Sequence, residues 1–414
     1  MTALWHPFAD MGTVDGNELV LVRGEGVFVW DEQGRRYLDG SASLWYSNVG
    51  HGRPEIAAAV AAQLAELETY HVFGALANRP ALELAERLAA LAPEAGAKVF
   101  LTSGGGDSIE GAVKLARLHH RLRGEPSRRH LISREHSYHG THGIGTSIIG
   151  MPYRDDFGPL LEDTSRVEWD SLAALEAEVE RLGAENVAAF VYEPVIGSGG
   201  VLTPPAGYLE GAEELCRRHG ILTIADVVIG GFGRLGTWLG VERFSLRPDL
   251  IVFAKGVTSG YLPLGGVIVA PAVAEPFWHE AGPRFAHGST YSGHAACCAA
   301  ALANLDLLAV DGLVHRAREL EGPFEARLSE LESHPLVAEV RGGVGLMAAV
   351  ALAPELLADD ADAASRFERL AREAGLLVRG LADGVALAPP LVVEDEHVEL
   401  AVAALATALD ELGR

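Results

Sequence analysis

Two residues of complementary chemistry close apolar runs in the middle of the chain. "GILTIADVV" reaches Asp226, and further on "DLIVFAKGV" reaches Lys255. The chain has 33 basic residues but only three lysines, Lys98, Lys114 and Lys255. Arginine stays charged in proteins, whereas a lysine amine can lose its proton and attack a carbonyl. A lysine at the end of an apolar run therefore points to covalent amine chemistry. A third stretch, "FLTSGGGDSIEGAVKLAR", joins an apolar run to three glycines (Gly104, Gly105, Gly106) and an immediate helical pattern. Glycines let backbone amides approach a ligand, and a helix N-terminus favours an anion. No Gly-Lys-Ser/Thr follows, so this is not a nucleotide P-loop.

Together a strand-end lysine, a strand-end carboxylate and a phosphate cradle are what pyridoxal 5'-phosphate (PLP) requires. The lysine forms the Schiff base, and the carboxylate keeps the pyridine nitrogen protonated so that the ring accepts electrons. Each feature alone has a bland reading: a solvated strand terminus, a loop cap, a tight turn. Two other motifs compete. Gly343, Gly345 and Ala348 satisfy the dinucleotide fingerprint on paper, but no strand–helix–strand unit with a following acidic residue accompanies them. His136, His139 and His142 in "EHSYHGTH" are spaced like metal ligands but lack a fourth, so no metal is expected. Tyr138, within that loop, has a ring able to stack on a pyridine.

The elements that must carry these residues are legible as alternation. The short apolar runs "AKVFLTS", "RRHLISR", "NVAAFVYEP", "GILTIADVV", "DLIVFAKG" and "LGGVIVAP" alternate with helical patterns over Asp107–Arg123, Ser171–Leu182 and Tyr208–His219. Near-continuous apolar strands between helices predict an α/β fold with a mostly parallel sheet covered on both faces. Ligands in such sheets bind at the carboxyl ends of the strands. The expected division is an N-terminal segment (1–50) of a small α+β domain, a large domain (51–300), and the rest of the small domain (301–414). The N-terminal strand pattern "GVFVWDEQGRRYLDG" contains a turn signal at "EQGR".

Composition removes several function classes. The net charge is −24, which opposes binding to nucleic acid and to anionic membranes. Three cysteines, two of them adjacent, give no readable disulfide framework. The start, "MTALWHPFAD", has no secretory pattern, and no 18-residue apolar span occurs, so a cytoplasmic setting is the expectation.

With the motifs assembled, the chain resembles the class III aminotransferases, PLP enzymes of fold type I. The resemblance rests on "TSGGGDSIE", "SYHG", "YEPVIGSGG", "ADVVIGGFGRLG", "FAKGVTSGYLPLGG", "HGSTYSGH" and "AGLLVRG…LAPPL" and extends over essentially the whole chain. It is closest to the ω-transaminase branch, the amine:pyruvate and β-alanine:pyruvate enzymes, which "LWYSNVGHG" also resembles. The resemblance implies that Lys255 is the Schiff-base lysine and Asp226 the partner of the pyridine nitrogen. Val228 and Tyr138 would take the two ring faces, Gly104 and Gly105 the phosphate, and Thr290 the phosphate of the neighbouring subunit. Glu193 would lie near the cofactor. Trp45, Tyr46 and Tyr153 would line the substrate pocket, with Phe73 contributed across the dimer, and Arg379 would bind a substrate carboxylate.

Three departures qualify the match. The usual Ser-Gly-Ser loop reads as Ser103-Gly104-Gly105, lacking one hydroxyl. Val227 replaces the acidic residue that commonly follows the aspartate. Ser198 stands where the ornithine and 4-aminobutyrate enzymes carry a glutamate that holds their arginine, which favours pyruvate over 2-oxoglutarate as acceptor. The implied activity is ping-pong transfer of an amino group from an amine or ω-amino acid to a keto acid. It would be carried out by a homodimer, or a dimer of dimers, with shared sites. A 2-oxoglutarate-dependent enzyme, and an aminomutase or decarboxylating transaminase of the same fold, are the alternatives.

Overall fold

The computed structural model describes residues 2–279 and 282–414. Three strands near the N-terminus, β1 (Leu21–Glu25), β2 (Phe28–Asp31) and β3 (Arg36–Asp39), form an antiparallel meander. The turn between β2 and β3 carries Gly34 at φ 81°, a conformation that glycine adopts without Cβ strain. It coincides with the "EQGR" turn signal.

A seven-stranded sheet dominates the molecule. Its strands are β4 (Lys98–Thr102), β5 (His130–Arg134), β6 (Thr164–Val167), β7 (Val187–Tyr192), β8 (Leu222–Asp226), β9 (Leu250–Phe253) and β10 (Gly265–Val269). The spatial order is β4-β10-β9-β8-β7-β5-β6, and all neighbours run parallel except β10, which is antiparallel to both β4 and β9. Six of the seven coincide with the apolar runs. β6, "TSRV", escaped because a short polar edge strand has no apolar signature. Every residue of β7, β8, β9 and β10 is buried, as expected of strands covered on both faces. Burying side chains such as Phe190, Ile224 and Val252 completely contributes about 1.5–3 kcal/mol each.

The remaining strands are β11 (Val337–Arg341), β12 (Ala348–Leu352), β13 (Leu376–Leu377), β14 (Arg379–Leu381) and β15 (Gly384–Leu387). Four of them build a second four-stranded sheet, β11-β12-β15-β14, while β13 pairs in parallel with β3 and so ties the two termini into one layer. The boundary expected at residue 300 falls inside the helix Ala295–Val310. That helix packs against Pro54–Glu66 and Arg79–Ala90, so the Ala/Leu-rich run continues unbroken through the expected division. The fingerprint glycines Gly343 and Gly345 lie in the connection between antiparallel β11 and β12, which leaves no strand–helix–strand unit for a dinucleotide. Among the described residues no single helix is long and apolar enough to cross a membrane.

Candidate active site

The carboxyl ends of the parallel strands converge on one place. β8 ends on Asp226, β7 runs directly into Glu193, and Lys255 lies two residues beyond the end of β9. β5 leads into the loop that carries Tyr138 and His139, and β4 into Ser103 and Gly104.

Asp226 is nearly fully buried. Its Oδ1 accepts the Val228 N–H at 3.0 Å, and its Oδ2 lies 2.8 Å from His139 Nδ1. His139 is 1 % exposed, and its other ring nitrogen, Nε2, is buried without a partner among the described residues. The imidazole thus spends one nitrogen on orienting the carboxylate. The three loop histidines do not converge as metal ligands: His142 packs on Gly106, and His136 is exposed.

Glu193 is buried beside this pair. Its Oε1 accepts the Tyr138 N–H and its Oε2 the Gly197 N–H, both at 3.0 Å. Burial pushes its carboxyl pKa up, with the nearby Asp226 charge adding to the rise. The buried Arg134 guanidinium donates to the Glu193 carbonyl and, at 3.3 Å, to the Trp169 carbonyl, bracing the end of β7.

Lys255 opens a one-turn 3₁₀ segment with φ 46°, a left-handed conformation unusual for a residue with a Cβ. Such positions cost about 1–3 kcal/mol and persist where the surroundings over-determine them. Burial lowers the amine pKa to about 8; Asp226 and Glu193 oppose the fall, and the Arg379 cation adds to it. About a tenth of the amine is therefore neutral and nucleophilic at pH 7, far more than for an ordinary lysine.

The glycine run forms the start of the helix Gly105–Leu122, with Gly104 as N-cap. The Asp107 carboxylate accepts the Ser103 N–H at 3.0 Å, and Thr102 Oγ1 and Ser108 Oγ are 2.7 Å apart, which fixes the approach to the helix. Gly106, too, lies in the first turn, where amides have no intrahelical acceptor, so the anion-binding end extends one residue beyond Gly104 and Gly105. A Cβ at Gly104 would meet nothing within 4 Å. One at Gly105 would stand 3.1 and 3.2 Å from the two Val228 methyls. A side chain therefore has open space at Gly104, whereas one at Gly105 needs Val228 to give by a few tenths of an ångström.

Comparison with known proteins decides what this arrangement is. The family model for class III aminotransferases matches residues 12–409. The chain is 35% identical to the putrescine–pyruvate aminotransferase of Pseudomonas aeruginosa, over 98% of this chain and 93% of that one. This protein belongs to the class III aminotransferases. Among solved structures, an (S)-enantioselective ω-transaminase from Thermomicrobium roseum superposes with a TM-score of 0.93 at 39% identity, covering 98% of this chain and 96% of that chain. An amine transaminase from an uncultivated Pseudomonas species, solved in its PLP-bound form, superposes with a TM-score of 0.95 at 36% identity, covering 100% and 99%. The fold is accordingly that of a fold type I transaminase, and the activity is that of an aminotransferase.

The outer residues of this aminotransferase are placed unevenly. Tyr138, Tyr153 and Arg379 form one group: the Arg379 cation acts on both phenols, and burial raises the Tyr153 phenol to about 12. Arg379 is exposed, and its guanidinium has no hydrogen-bond or ion-pair partner among the described residues. The Phe8 ring meets that of Tyr153 edge-on, 5.6 Å between centroids. Tyr46 packs over Gly260, in the turn that follows Lys255.

Trp45 is 1 % exposed and sits in an apolar cluster with Val195, Val201, Ile229 and Met347. Its ring fills space within that cluster. It is held there by a strained turn in which Ala42, Ser43 and Trp45 all have positive φ, with the Ser41 and Ser43 N–H groups donating to Asp39. Phe73 and Thr290 are both exposed. The N-cap of the helix Ala295–Val310 is His294, so Thr290 does not cap it. Val227 is fully buried, consistent with an apolar residue there.

Proposed function

We propose that this aminotransferase uses PLP and moves an amino group from an amine or ω-amino acid to pyruvate. The observation that carries the reading is Lys255: a half-buried lysine with its amine pKa lowered to about 8, beside the Asp226 and Glu193 carboxylates at the ends of adjacent strands. When bound, PLP supplies an electrophilic carbonyl and an electron-accepting ring.

The residues present fit that group. Lys255 is the nucleophile and the proton carrier, since only a neutral amine can take a proton from a substrate carbon. The Asp226 carboxylate, oriented by Val228 and His139, holds a positive charge on a ring nitrogen. Val228 and Tyr138 offer flanking surfaces. The amides of Gly104, Gly105 and Gly106 offer donors to a phosphate at the positive end of a helix dipole. Glu193 holds the backbone of Tyr138 in place. Tyr46 and Tyr153 would line the substrate side. Phe73 and Thr290, exposed in one chain, would complete the site of a second copy in a homodimer.

Pyruvate is favoured because Arg379 is an unpaired cation with Ser198 in place of an acidic partner, and because the putrescine enzyme takes pyruvate. Arg379→Ala is expected to raise KM for pyruvate and for carboxylated donors by roughly 10- to 100-fold, the worth of a charge-assisted hydrogen bond. An apolar amine should be affected far less. Steady-state kinetics with both donor types check this, and equal losses on both would assign Arg379 a structural role.

The room at the helix cap gives another test. Gly104→Ser adds a favoured N-cap residue and a hydroxyl donor where nothing obstructs it, so PLP loss on dialysis should slow. Gly105→Ser must displace Val228 and should accelerate loss. Release followed by absorbance decides between the two, and the opposite order would refute the placement.

A further inference from the structure

A row of hydroxyls links the cradle of one chain to the segment that carries Thr290. Ser103 Oγ, immediately before the N-cap Gly104, is 2.9 Å from Ser289 Oγ, which is 3.2 Å from Ser292 Oγ. The Ser289 N–H also donates to Ser292 Oγ at 3.2 Å. The other face of Ser103 is fixed by Asp107, in the first turn of the cradle helix. Ser289 is half-buried, whereas Thr290, its neighbour in sequence, is exposed and makes no hydrogen bond among the described residues.

We propose that Ser289 is a positioning residue that couples the two cofactor sites of the dimer, so that filling one cradle favours filling the other. This rests on the reading that Thr290 completes the partner's phosphate site. An anion at the helix N-terminus orders the Ser103–Gly106 turn. Ser103 then holds Ser289 in one orientation, and through the shared peptide Thr290 is presented to the partner. The second anion meets a donor already ordered, which gives positive cooperativity without a large structural change. In a two-fold dimer the same path runs both ways, and the coupling is reciprocal.

The test counts cofactors. Full-length protein equilibrated with half an equivalent of PLP is examined by native mass spectrometry for dimers holding zero, one or two. Independent sites give one half singly loaded at half saturation, whereas a coupling of about fivefold lowers this to about three-tenths. Wild type should show that depletion, and Ser289→Thr, which keeps the hydroxyl, should retain it. Ser289→Ala and Ser103→Ala, which cut the row from either end, should return to one half. A wild-type population at one half, or both alanine variants depleted like wild type, would overturn the coupling. Failure of the underlying reading looks different: Thr290→Ala would leave overall PLP affinity unchanged, or the fully loaded protein would be monomeric.

Discussion

Lys255→Ala is expected to lower transamination by more than about 10⁴-fold, beyond what a positioned proton carrier alone contributes. The loss should be that large because one amine performs two tasks, attack on a carbonyl and transfer of a proton, and no other lysine is available: Lys98 starts β4 and Lys114 pairs with Glu110 on the outer face of a helix. The fold should survive, since the residue's burial is supplied by the strand ends around it, and the melting temperature is the control. The lowered pKa adds a pH signature. Only the neutral amine attacks, so the rate of PLP incorporation into cofactor-free protein should rise with pH through about 8 and level off above it. Turnover retained by the alanine variant, or a rate independent of pH between 6 and 9, would remove Lys255 from its role.

Asp226→Asn is the second large effect. A neutral amide keeps the shape and can still accept the Val228 N–H, but it cannot favour a protonated ring nitrogen. Breaking a buried charge pair costs about 3–5 kcal/mol, which corresponds to a fall in rate on the order of 10²–10⁴-fold. His139→Phe, which removes the group 2.8 Å from Oδ2 while leaving the charge, should lie between wild type and Asp226→Asn. Single-turnover rates separate these from cofactor loss. An asparagine variant at the wild-type rate would make Asp226 structural.

Much of this site was legible because the fold places its chemistry where apolar runs stop. β8 and β9 are buried on both faces, so the first polar residue after each run stands at the carboxyl edge of the sheet, and Asp226 and Lys255 announce themselves. His139 gave no such signal. It lies in a loop among glycines, and its contact with Asp226 is made across 87 positions of sequence. The cradle was legible only as a glycine run: motif spacing cannot say which glycine caps the helix, whereas the backbone sets the cap at Gly104. The packing of Trp45 in an apolar cluster was not legible, because a sequence does not separate an aromatic that faces a site from one packed against the core. At residue 300 a uniform Ala/Leu composition hid the single helix that runs through the expected division.

The central claim, a PLP aminotransferase with pyruvate as acceptor, is tested most directly by following the colour of the purified holoprotein through its two half-reactions. An amine donor such as putrescine should bleach the cofactor band in the absence of any keto acid, and pyruvate should restore it, with 2-oxoglutarate far less effective. A band that no amine alters, or one that bleaches and returns with 2-oxoglutarate but not with pyruvate, would contradict the account.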